Sequence, residues 1–213
     1  MTLVTKISPA NYALVIKILV ESILSNDEEK HDIAVLTLRT IIDEIAAAPS
    51  LAGALVSEAT PFIVSQLRST TATQMQHNDA FDVLNTMLLQ LPLSIVQFPE
   101  LHQEVLETLL SSLLSPRNAT SKRAVTGIGN YSGVASPEVY AMIVSRVQEI
   151  LTFPPQTSAK LLHLRTVVQL VSILARNTPR SLRPDAPALI VNILNVLAAT
   201  DGQEGEAEEV GES

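Results

Sequence analysis

Apolar residues recur along this chain at three- and four-residue steps. Val15, Ile16, Leu19, Val20, Ile23 and Leu24 make one stripe, and Leu101, Val105, Leu109 and Leu113 make another. At about 100° per residue such steps keep the apolar side chains on one face of a helix, whereas a half-exposed strand would alternate. Ala34, Leu38, Ile41, Ile42 and Ile45 repeat the pattern, as do Leu164, Val167, Val168, Val171 and Leu174. The spacing predicts helices near 9–25, 28–47, 51–68, 74–91, 99–114, 118–133, 137–152, 157–176 and 182–199.

The breaks between these segments have a rhythm of their own. Pro49, Pro92, Pro137 and Pro179 are separated by 43, 45 and 42 residues, and a second set of breaks falls between them, at Ser25-Asn26-Asp27, Ser69-Thr70-Thr71, Ser115-Pro116 and Phe153-Pro154-Pro155. Two helices per unit at this period are the mark of HEAT or armadillo-like repeats. The fold expected is all-α: an α-solenoid of about four HEAT-type helical hairpins plus one extra helix, filling residues 1–200. Hairpins of this kind are stable only when stacked, and a curved stack presents one row of helices as a binding surface. Pro61, inside the third helix, is expected to kink it unless it marks the true start of that helix.

Composition supports the same class. The 213 residues are 46% apolar but only 3% aromatic, with no Trp, so burial rests on Leu, Ile, Val and Ala. The absence of Cys excludes disulfides, thiolate metal sites and a Cys nucleophile, and fits a reducing compartment. Lys17, Arg165, Asn192 and Asn195 interrupt the longest apolar stretches, so none reaches the roughly 18 residues of a membrane span. The net charge of −8 is uneven: residues 201–213, DGQEGEAEEVGES, hold six acids and no base, and the first 200 residues, with 14 bases against the remaining 16 acids, stand at −2. The acidic end lacks apolar periodicity and is expected to be a disordered tail. A near-neutral body with few aromatics offers neither a basic face nor a stacking platform, so no nucleic-acid partner is expected, and no membrane partner.

The stretch SPRNATSKRAVTGIGNYSG, residues 115–133, concentrates three cations, Arg117, Lys122 and Arg123, and three glycines, Gly127, Gly129 and Gly133. A phosphate cradle needs its glycines after a strand and before a helix. Here they fall inside a predicted helix, which Asn118 or Thr120 is expected to cap, so the glycines are read as allowing close helix packing. The cations lie at an exposed turn and are the candidate protein contacts. Lys160, His163 and Arg165 occupy the comparable helix one repeat later and are candidates on the same ground, lining one ridge with the first three. Glu100, His102 and Glu104 look like a metal triplet, but His102 points nearly opposite the two glutamates on a helix. The pairs His31/Asp32 and His77/Asp79 fail the same spacing test. No catalytic, cofactor-binding or metal-ligating residue is assigned, and the chain is expected not to be an enzyme.

Two stretches also carry a family likeness. SNDEEKHDIAVLTLRTIIDEI, with Ser25, Asp32, Ile33, Leu38, Arg39, Thr40, Ile42 and Glu44, and LLSPRNATSKRAVTGIGN, with Ser115, Pro116, Arg117, Lys122, Arg123 and Gly129, resemble the N-terminal HEAT repeats of the cullin-associated neddylation-dissociated (Cand) proteins. Arg165-Thr166 is a shorter echo, and the likeness runs in register over about residues 9–198. The resemblance implies a regulator of cullin-RING ubiquitin ligases in the cytoplasm and nucleus. Its N-terminal repeats would grip the C-terminal region of an unneddylated cullin and the RING subunit. In the family, C-terminal repeats obstruct the adaptor site and assist receptor exchange. This chain departs from the plan in lacking the first and the C-terminal repeats, which implies either a fragment or one half of a split protein with a complementary C-terminal chain. Two other readings keep the architecture without that partner: a generic HEAT-repeat scaffold of the transport-receptor or phosphatase type, and a chaperone that uses the acidic end to bind basic proteins.

Overall fold

The computed structural model describes residues 8–23, 27–45, 49–152 and 160–209. Every regular element among them is a helix. Residue contacts group the chain into two compact units, Met1–Val134 and Ala135–Ser213, where the sequence alone draws a single repeat block to residue 200.

The first unit holds α1 (Pro9–Ile23), α2 (Glu28–Ile45), α3 (Pro49–Arg68), α4 (Gln74–Gln90), the short α5 (Pro92–Val96), α6 (Pro99–Ser112) and α7 (Asn118–Ser132). α1 packs on α2, α3 on α4 and α6 on α7, which makes three hairpins. The first helices of the hairpins, α1, α3 and α6, form one row and the second helices, α2, α4 and α7, form the other. Ile16, Leu38, Leu55, Leu84, Leu109 and Ile128, one from each of these helices, are fully buried between the rows. Burying an aliphatic side chain is worth roughly 1.5–3 kcal/mol, so each hairpin depends on its neighbours for its own stability. Arg68 at the end of α3 reinforces the first row, donating from Nε to Thr108 Oγ1 at 3.0 Å and from Nη2 to the Glu104 carbonyl at 3.2 Å on α6.

The second unit holds α8 (Pro137–Thr152), α9 (Lys160–Asn177), α10 (Pro179–Leu182) and α11 (Ala186–Glu209). α8 and α9 form a hairpin, α11 lies against α8, and α10 touches both α8 and α9. The four hairpins and one further long helix match the architecture expected from the periodicity. α11 is drawn as far as Glu209, and residues 210–213 of the acidic end lie outside the described residues.

The prolines act as starters. Pro9, Pro49, Pro92, Pro99, Pro137 and Pro179 each stand at the first residue of a helix, where the missing N–H has no intrahelical partner and the fixed φ is already helical. Pro92 and Pro179 thereby open α5 and α10, which are too short to show a helical period in the sequence. Pro61 is different. α3 begins at Pro49 and continues through it, with Pro61 on the exposed side, where the Ser57 carbonyl it leaves unbonded can face water.

Candidate protein-binding site

α4 ties the second row together with polar side chains on successive turns. Asp79 reaches back to α2, where its Oδ2 accepts from His31 Nε2 at 2.7 Å. Asp82 reaches forward to α7, accepting from Arg123 Nε at 2.8 Å and Nη2 at 3.3 Å. One turn on, Asn85 donates to the Arg123 carbonyl at 3.1 Å, and Asn130 donates to the Asn85 carbonyl at 3.3 Å.

His31 is only 1% exposed, and both of its ring nitrogens face acceptors, since Nδ1 lies 2.7 Å from the Ile23 carbonyl. A neutral imidazole has one N–H, so this geometry suits the doubly protonated ring. Burial alone would lower its pKa. The hydrogen bond to Asp79, the Ile23 carbonyl and the charges of Asp79 and Asp32 outweigh burial, and the pKa is raised. His77 makes a related contact, donating from Nε2 to the Ser69 carbonyl at 3.0 Å. In both cases the carbonyl lies eight residues earlier, at or just past the end of the preceding helix, where a histidine N–H satisfies a group that the helix leaves open.

The three cations of the Ser115–Gly133 stretch therefore separate. Arg123 is half-buried and engaged by Asp82. Arg117 and Lys122 are exposed and take part in none of the ion pairs found among the described residues. Lys122 and Arg123 edge a shallow depression of about 340 Å³ that also includes Asn118, Ala119 and Thr126. Arg117 is the N-cap of α7, and no side chain caps this helix. The cap expected from Asn118 or Thr120 is absent because both lie inside the helix, with the Thr120 hydroxyl buried and unpartnered. Gly127 meets the expectation of close packing: a Cβ there would lie 2.7 Å from Asn85 Oδ1 and 2.8 Å from Leu109 Cδ2. Gly133 has nothing near enough to need it.

On α9 the candidates do not form a ridge. His163 is 3% exposed, with neither ring nitrogen hydrogen-bonded, whereas Arg165 is exposed. Two residues along a helix point nearly opposite ways, so a surface role for His163 is not available in this fold. The Lys160 side chain lies outside the described residues. Arg165 stands at an apolar cavity of about 350 Å³ between α8, α9 and α11, together with Leu151, Leu164, Val168, Ile193 and Leu197. His102, the centre of the apparent metal triplet, instead packs on Tyr131 of α7 with ring centroids 5.2 Å apart, and burial lowers its pKa. Among the described residues no group of three or more His, Asp or Glu side chains could hold a metal ion, and no helix is long and apolar enough to cross a membrane.

Of the cations in the Ser115–Gly133 stretch, Arg117 and Lys122 are thus the exposed pair. No family model matches the sequence. The chain is similar to cullin-associated NEDD8-dissociated proteins. It is 28% identical over 177 residues to cullin-associated NEDD8-dissociated protein 2 of Rattus norvegicus and 27% identical over 177 residues to that of Mus musculus, each covering 82% of this chain and 14% of the relative. It is 23% identical over 180 residues to cullin-associated NEDD8-dissociated protein 1 of Drosophila melanogaster, covering 82% of this chain and 13% of that protein. The chain thus spans about one seventh of the length of these relatives.

Proposed function

We propose that this chain is a non-enzymatic helical-repeat scaffold that binds the C-terminal region and RING subunit of an unneddylated cullin, and so regulates assembly and receptor exchange of cullin-RING ubiquitin ligases. The observation that carries the reading is the similarity, over 82% of this chain, to proteins named for cullin association. Arg117 and Lys122 supply a contact for an acidic patch, because they are exposed cations that serve no ion pair within the described fold. Arg165 is a further contact. Arg123 acts differently: it holds α7 against α4 through Asp82 and positions its neighbours. The protein works in the cytoplasm and nucleus.

The test uses the purified full chain and an unmodified cullin C-terminal region bound to its RING subunit. The chain is expected to co-purify with this complex and to slow neddylation of the cullin. Charge reversal by Arg117→Glu with Lys122→Glu should weaken binding about tenfold, mainly through slower association. Absence of binding at micromolar concentration by a chain that circular dichroism shows to be helical would rule out the partner. Binding that ignores the double reversal would move the contact elsewhere.

A further inference from the structure

The turn that presents the exposed cations also carries a hydroxyl open to modification. Ser8, Thr60, Ser115, Ser136 and Thr178 each precede a proline, the dipeptide on which proline-directed kinases act, and the fold sorts them. Thr60 is fully buried inside α3. Thr178 Oγ1 donates to the Leu174 carbonyl at 2.9 Å and lies 3.0 Å from the Tyr140 hydroxyl. Ser8 and Ser136 act as caps, accepting from the Asn11 and Val139 amides at 3.4 Å. Glu138 is also hydrogen-bonded to Ser136 and would repel a phosphate there. Ser115 lies in the irregular turn between α6 and α7, where its Oγ accepts from the Arg117 amide at 3.2 Å and its own proton is uncommitted.

The surroundings of Ser115 suit a phosphate. Arg117, two residues on, and Lys122 are exposed and belong to none of the ion pairs among the described residues. Side chains lean toward the N-terminus of their helix, which directs Lys122 back toward this turn. The amides of Thr120 and Ser121 bond to the Arg117 carbonyl, and no side chain caps the turn before them. A phosphoserine carries about −1.5 to −2 charges, enough to offset both free cations.

We propose that Ser115 is a phosphorylation site, and that its phosphate, held by Arg117, Lys122 and the open first turn of α7, withdraws the two cations from an acidic partner. The regulatory half of this rests on the binding role given above to Arg117 and Lys122. In the transfer, Ser115 Oγ attacks the γ-phosphorus of ATP on a proline-directed serine/threonine kinase. The Oγ–P bond forms and the bond from that phosphorus to the β,γ-bridging oxygen breaks; ADP leaves with the electron pair, and the hydroxyl proton passes to the kinase's catalytic base.

Incubation of the full chain with such a kinase and magnesium ATP, followed by mass-spectrometric mapping, should find the phosphate at Ser115 and lose it in Ser115→Ala. No modification, or modification mainly at the other four positions, overturns the site. A chain with phosphoserine genetically encoded at position 115 tests the contact without a kinase. By phosphorus NMR, the second ionisation of a solvated phosphoserine, at about 6, should fall to about 5.5 or below, because neighbouring positive charge favours the dianion. It should return toward the solvated value with Arg117→Ala and Lys122→Ala together. A phosphate that titrates as a solvated one in the otherwise native chain excludes the contact. The phosphorylated chain should bind the cullin C-terminal region with its RING subunit at least about tenfold more weakly than the unphosphorylated chain, and equal binding overturns the regulation. If the unphosphorylated chain does not bind at all, the proposed function fails, and the titration still decides whether the phosphate engages the two cations.

Discussion

Arg117 occupies the N-cap of α7, where free amides and the helix dipole favour an oxygen acceptor or a carboxylate and disfavour a cation. A residue so placed lowers stability locally, which fits a role in contacting a partner. Arg117→Asp should raise the unfolding free energy by about 0.5–1.5 kcal/mol in urea titrations while weakening cullin binding. A variant that gains stability and binds as before would detach Arg117 from the contact. His31 makes the opposite contribution, holding α1, α2 and α4 together through the Ile23 carbonyl and Asp79. Its pKa is raised in the fold against the pull of burial. Its contribution is therefore complete below the ordinary imidazole value of about 6.5 and is lost as pH rises through the higher folded value. The difference in Tm between the native chain and His31→Gln should shrink from pH 6 to pH 9, as read by thermal circular dichroism. A difference that widens would contradict a protonated His31.

At the scale of elements, α4 joins its neighbours through side chains three residues apart, Asp79 backward and Asp82 forward. A double-mutant cycle of Asp82→Ala and Arg123→Ala should give a coupling of about 0.5–1.5 kcal/mol, since the pair is bidentate yet half-exposed; additive single effects would count against the tie. Gly127 sets how near α7 approaches α4 and α6. Alanine's gain of roughly 1 kcal/mol in helix propensity is opposed by its own Cβ, which already crowds Asn85 and Leu109, and valine adds two further methyls to the filled space, so Gly127→Val should lose about 1–3 kcal/mol in the same titration. The long helices were legible in the sequence because stripes such as Leu38, Ile42 and Ile45 are buried at the expected faces. α5 and α10 were not, because four or five residues cannot display a period of 3.6. The cations of the Ser115–Gly133 stretch were legible as a cluster, yet their division was not. Asp82, the residue that takes Arg123 out of the exposed set, lies 41 positions away, and nothing local announces the pairing. The same distance problem hid His31 and Asp79, 48 positions apart.

For the whole molecule, the physical claim is that stacked amphipathic hairpins expose a surface fitted to a protein. The four hairpins and the buried interior between the rows of the first unit agree with that claim, and the similarity to cullin-associated proteins is the ground for the proposed partner. A generic repeat scaffold would share the hairpins without that preference. The most direct measurement is the equilibrium affinity of the full chain for a cullin C-terminal region with its RING subunit, taken in parallel on unmodified and neddylated forms by titration calorimetry. Micromolar or tighter binding to the unmodified form, weakened at least about tenfold by neddylation, is the result expected. Equal affinity for both forms, or none for either, would contradict the account.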